Sequence, residues 1–132
     1  MTRFAVDAAT LLHLVRQGVR VDPAHQLVAP NATRSQALQR LLDEVRSGTV
    51  TERQALEWHE GMTAQRMRLL GDRVSRRTAW RLARELDLPI VDAEVLAVAT
   101  LQADALVTVD AELAGTASAV VRLAEVEDLT HA

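Results

Sequence analysis

Two kinds of apolar pattern alternate along this chain. Phe4-Ala5-Val6, Gln26-Leu27-Val28-Ala29 and the stretch from Ala105 to Val109 are short apolar runs, each closed by an acid or a proline, and they predict strands. Between them apolar positions recur at helical spacing: Leu11, Leu12, Leu14 and Val15; Ala37, Leu38, Leu41, Leu42 and Val45; Ala79, Leu82, Ala83 and Leu86; and Leu96, Val98, Ala99 and Leu101. Strands separated by helices predict an α/β domain with a parallel sheet, and the early run Arg3 to Val6 suits a central strand.

Local signals set the expected boundaries. Thr10 is placed to cap the first helix and Gly18 to end it, while Asn31 or Thr33 would cap the second, which stops at Ser47-Gly48. Thr51 opens a third helix carrying Ala55 and Trp58 and ending near Gly61, and Ser75 opens a fourth that reaches Leu86. Met62 to Leu70 fits either a helix end or a short strand. A short helix from Ala111 ends at Gly115, Val120 to Leu123 forms a last strand, and the polar residues from about 125 form a loose end. The whole, residues 1–132, is expected to be one domain.

Chain geometry brings distant acids together. A helix of ten residues covers about 15 Å and a strand of five about 17 Å, so the helix holding Asp92 and the strand ending before Asp110 run down and back. Asp92 and Asp110 should therefore share one edge of the sheet, and Asp7, which follows the first strand, should join them. Alone, Asp7 would read as a helix cap; with two companions it reads as part of a site.

Composition removes alternatives. All fifteen basic residues are arginine and there is no cysteine, so Schiff-base chemistry, thiolate zinc sites and disulfides are excluded. Receiver domains and haloacid-dehalogenase-type phosphatases also place acids at strand ends, but both need a lysine. The chain shows no Gly-rich phosphate loop, no GxSxG elbow and no HExxH, and His13, His25, His59 and His131 lack ligand spacing. Without an apolar run of membrane-spanning length or a basic-apolar leader, a cytoplasmic protein is expected.

Three crowded carboxylates need a compensating cation. Mg²⁺ or Mn²⁺ suits oxygen donors, keeps several waters, and can activate one of them against a phosphodiester. Net charge is −3, yet seven arginines and a single acid, Asp72, lie between Arg66 and Arg84. That segment reads equally well as a phosphate-tracking surface, with Arg73, Arg76 and Arg77 foremost, or as a solvated helix face. Trp80, within an apolar helical pattern, is expected in the core.

The ordered segments FAVDAATLLHL, APNATRSQAL, IVDAEVLAVA and LVTVDAEL resemble a PIN domain, specifically the VapC-like toxins of bacterial type II toxin–antitoxin systems. The resemblance spans nearly the whole chain. It implies a three-layer α/β/α sandwich on a mainly parallel sheet, Mg²⁺- or Mn²⁺-dependent cleavage of RNA, a homodimer, and a small cognate antitoxin as partner. Asp7, Asp92 and Asp110 match the family's metal-holding acids, and Thr108 matches the small hydroxyl residue two before the last of them. The family's remaining acid, usually Glu in an RSE-like context, is Gln36 here. An amide orients a ligand but adds no negative charge, so the resemblance also admits a degenerate module that binds RNA or protein without cutting. Glu94 and Glu112 read as charges favourable to helix starts rather than as substitutes for the missing acid.

Overall fold

The computed structural model describes residues 1–132. Five strands, β1 (Arg3–Val6), β2 (Gln26–Pro30), β3 (Arg68–Leu70), β4 (Ala105–Val107) and β5 (Leu123–Ala124), form one sheet in the order β3-β2-β1-β4-β5. Every pairing is parallel. Six α-helices connect them: α1 (Ala8–Arg16), α2 (Thr33–Arg46), α3 (Glu52–Ala64), α4 (Arg73–Leu86), α5 (Ile90–Gln102) and α6 (Ala111–Ala117).

Side chains alternate across each strand, and the alternation sorts the core into layers. Ala5, Val28 and Leu106 face α4, α5 and α6, where they meet Leu82, Leu96 and Leu113. Phe4, Val6, Leu27, Ala29, Ala105 and Val107 face the other way, toward Leu14 of α1 and Leu129. Beneath α1 a third cluster, with Leu11, Leu12, Leu41 and Met62, joins it to α2 and α3. The result is the expected three-layer α/β/α sandwich, and no helix is long and apolar enough to cross a membrane.

Several boundaries differ from the sequence expectation, each for a local reason. Asp7, not Thr10, caps α1, accepting from the Thr10 N–H at 3.0 Å. Asp72, not Ser75, caps α4 and accepts from the Ser75 N–H at 2.8 Å, an interaction that holds its carboxyl below the ordinary value. The second helix has Ala32 at its cap position with no side-chain bond, so neither Asn31 nor Thr33 fills that role. Met62 to Leu70 is partitioned between the end of α3 and strand β3.

Glycine does not stop two of the helices. Both α3 and α6 continue through Gly61 and Gly115, to Ala64 and Ala117. At Gly61 a Cβ would stand 2.7 Å from Val15 Cγ1, so the missing side chain permits close approach of α3 to α1. The C-terminal residues are polar but not loose. A 3₁₀ turn at Val126–Leu129 buries Leu129 completely, and the Leu129 carbonyl accepts from the Asp22 N–H at 2.8 Å.

Candidate active site at the switch point of the sheet

From β1 the chain moves outward through β2 to β3, then returns to the other side of β1 to place β4 and β5. The order reverses between β1 and β4. In open parallel sheets this leaves a crevice beyond the carboxyl ends of the two strands, because their following connections depart to opposite faces. Val6 pairs with Val107, so Asp7 and Thr108 emerge side by side at that crevice.

Hydrogen bonds tie the two strand ends together. The Thr108 hydroxyl donates to Asp7 Oδ2 at 2.9 Å and accepts from the Asp110 N–H at 3.1 Å. The Thr10 hydroxyl donates to Asp7 Oδ1 and accepts from the Val109 N–H at 3.1 Å. Asp7 is buried, and both of its oxygens are thereby fixed in direction. It is at once a helix cap and a member of the acidic group, so the two readings of this residue are compatible.

Asp110 is positioned by a different device. Its Oδ1 caps α6 by accepting from the Glu112 N–H at 3.0 Å and the Leu113 N–H at 3.2 Å, which leaves Oδ2 without a protein donor. Asp92 lies in the first turn of α5, and its carboxylate makes no hydrogen bond within the protein. Burial, and then the facing charges of Asp110 and Asp7, push Asp92 above the usual carboxylate range; Arg40 opposes the shift and Glu112 adds to it. Asp7, Asp92 and Asp110 are thus electrostatic neighbours, with Glu112 at their margin.

Gln36 lies in the second turn of α2, half-buried, with no side-chain hydrogen bond. One turn further along the same face comes Arg40, a cation that sequence reasoning passed over. It had no motif to mark it; its relevance follows from the packing of α2 beside the crevice. Arg40 also lines a cleft of about 440 Å³ between α1 and α2, with His13, Arg16 and Val109 among the other walls. None of the three aspartates lines this cleft.

The arginine-rich helix lies elsewhere. Asp72, Val74 and Ser75 share a small cavity with Val98, Leu101 and Gln102, so α4 starts beside the end of α5 and runs back along it. Arg73, Arg76 and Arg77 therefore sit toward the end of α5 remote from Asp92. Trp80 is not in the core as expected: it is 65% exposed, on the side of α4 opposite Ser75, Ala79 and Leu82.

No protein-family model matches the chain, and no curated protein matches it in sequence. Two solved structures do share its architecture. That of PAE2754 from Pyrobaculum aerophilum aligns over 98% of this chain and 93% of its own, with TM-score 0.75 and 24% identity. That of VapBC-1 from nontypeable Haemophilus influenzae aligns over 95% and 98%, with TM-score 0.65 and 13% identity. The chain has the PIN fold. Within the PIN fold the acids stand at the reversal of strand order, where the topology itself opens a crevice.

The donors at this PIN crevice suit a hard divalent ion. Asp92 has two unengaged oxygens and Asp110 has one, whereas Asp7 Oδ1 already accepts from the Thr10 N–H and hydroxyl and only Oδ2, which takes the Thr108 hydroxyl, keeps a lone pair free. As the side chains lie, no group of three or more acidic or histidine residues stands close enough together to hold a metal ion. Mg²⁺ and Mn²⁺ need only one or two carboxylates and complete their shells with water and phosphate oxygens, so the free oxygens of Asp92 and Asp110 are the donors such an ion would use.

Proposed function

We propose that this protein is a Mg²⁺- or Mn²⁺-dependent endoribonuclease, the toxin of a toxin–antitoxin pair. The observation that carries the reading is the meeting of Asp7 with the Thr108–Asp110 segment at the switch point, with the charges of both aspartates acting on Asp92. Asp7, Asp92 and Asp110 would hold the ion. When bound, it would polarise a phosphodiester and supply hydroxide at neutral pH. The protein's own part is orientation: Thr108 and Thr10 fix the carboxylate of Asp7, Thr108 also fixes the backbone of Asp110, and the Gln36 amide would direct a water or phosphate oxygen without adding charge.

The likeness to VapBC-1 supports a small antitoxin as partner. RNA as substrate, a homodimer and a cytoplasmic setting belong to the same reading. The direct test is cleavage of RNA by purified protein with and without Mn²⁺. Asp7→Asn and Asp92→Asn should each abolish cleavage, and unchanged activity in either variant would overturn the assignment.

A second reading is favoured by Gln36 together with the absence of any group of three acidic or histidine side chains close enough to hold a metal ion. Under it the protein is a degenerate PIN module that binds RNA or a protein without cutting. Calorimetric titration with Mn²⁺ separates the two, since the degenerate module would release no binding heat. Gain of both binding and cleavage on Gln36→Glu would identify the amide as the cause.

A further inference from the structure

The outer face of α4 has no role in the site described above, and its chemistry is unusual for a solvated helix. Trp80 is 65% exposed and Val74 60% exposed. Arg76 and Arg77 lie one turn before Trp80 and Arg84 one turn after it, so cationic side chains flank the indole on both sides along the helix. Of the arginines on this helix, Arg81 is paired, with Glu85 at 3.2 Å, and Arg76 donates to the Gly71 carbonyl at 2.9 Å. Arg73, Arg77 and Arg84 make neither ion pair nor hydrogen bond and keep their full charge for an outside partner.

The other tryptophan shows what this sequence does with an indole it covers. Trp58 is half-buried, and the Arg16 guanidinium, itself paired with Glu44, lies 4.7 Å from its ring centroid. Trp80 has no such cover. Leaving so large an apolar surface in water has a cost that a base stacked on the ring would recover, with arginines alongside to take the adjoining phosphates.

We infer that the exposed face of α4 is a binding platform for single-stranded RNA, with Trp80 stacking a base and Arg76, Arg77 and Arg84 holding the flanking phosphates. Its position agrees with such a use. The chain reverses at Asp87, in left-handed conformation, through Leu88 and Pro89 into α5. The arginine strip therefore ends beside the start of α5, the same end that carries Asp92, and a helix of this length extends it about 20 Å away. A second copy of the chain fits less well, because a two-fold contact centred on this face would set its arginines against their own images. The inference rests on the ribonuclease reading in taking RNA as the ligand, but it needs neither the metal nor cleavage.

The test uses the full chain carrying Trp58→Phe, so that emission reports Trp80 alone. It is titrated with a short oligouridylate in the presence of a chelator, and the RNA is checked on a gel afterwards. Quenching of Trp80 is expected, with affinity about 5- to 100-fold weaker on Trp80→Ala in the wild-type background, measured by anisotropy of labelled RNA. Replacing Arg76, Arg77 and Arg84 together by Ala should lower the slope of log affinity against log salt by about 2. All four positions are on the solvent side of α4, so the fold is kept. The platform is overturned by unchanged Trp80 emission, by a dimer in sedimentation that Trp80→Ala dissociates, or by an acidic peptide that binds this face more tightly than RNA does. Cut RNA in the chelator would count against metal dependence and leave the platform standing.

Discussion

The Thr108 hydroxyl reaches Asp7 Oδ2 at 2.9 Å across the junction of β1 and β4, joining residues 101 positions apart in the chain. The Thr108 hydroxyl oxygen also accepts from the Asp110 N–H, so one side chain sets the direction of the first acid and the backbone of the last. Thr108→Val keeps the shape and removes both bonds. Stability should fall by about 1 to 3 kcal/mol, measured by urea unfolding, and RNA cleavage by about 10- to 100-fold. Thr108→Ser should retain most of both. Equal behaviour of the Val and Ser variants would show that the hydroxyl does not position the acids.

Asp92 supplies a pH-dependent prediction. Its folded pKa lies above its ordinary value of 3.8, so the native state holds this proton more tightly than the unfolded chain. As pH rises from about 4 through the folded pKa, the native state loses stability relative to the unfolded one, and the loss persists at neutral pH. Asp92→Asn removes that penalty. The metal-free variant should melt above the wild type at pH 7, with the advantage gone below pH 4. Adding Mg²⁺ should raise the melting temperature of the wild type more than that of the variant. A metal-free variant that melts lower at pH 7 would contradict the repulsion inferred here.

Gly61 gives a packing test in which two effects oppose each other. Alanine in a helix interior gains about 1 kcal/mol over glycine, but its methyl would meet Val15 Cγ1 at 2.7 Å. Overpacking costs about 1 to 3 kcal/mol, so Gly61→Ala should be neutral to destabilising by about 2 kcal/mol in chemical denaturation. In a Val15→Ala background the clash is gone and the same substitution should stabilise. Stabilisation in both backgrounds would mean that α1 and α3 are not in tight contact at this point.

Leu129 tests the C-terminal anchor. The side chain is completely buried among Phe4, Val6 and Leu27 or their neighbours in the same cluster. Leu129→Ala should cost about 2 to 5 kcal/mol, a large share of the stability of a domain this size. A melting temperature indistinguishable from that of the wild type would restore the description of this segment as a loose end.

What could be read from the sequence followed from repeating patterns. Three strands and the helices between them were legible because short apolar runs and 3.6-residue spacing persist over several residues, although the run Ala105 to Val109 is extended only to Val107. The place of Asp7 was legible because a residue just past a parallel strand must emerge at one edge. Features that depend on a partner element were hidden. Trp80 has the same local pattern whether or not another element covers it, and nothing covers it. Gly61 resembled a helix stop because the close approach of Val15 is a tertiary fact. Arg40 carried no motif, and one isolated apolar residue, Leu129, gave no period to recognise.

The strand reversal beside β1 has a consequence for biosynthesis. A polypeptide cut short before Ala105 contains Asp7 and Asp92 but leaves one side of the central strand open, its backbone amides and carbonyls unmatched. Such a fragment would lack the last acid of the group and the threonine that aims the first, and its bare edge would invite association with other chains.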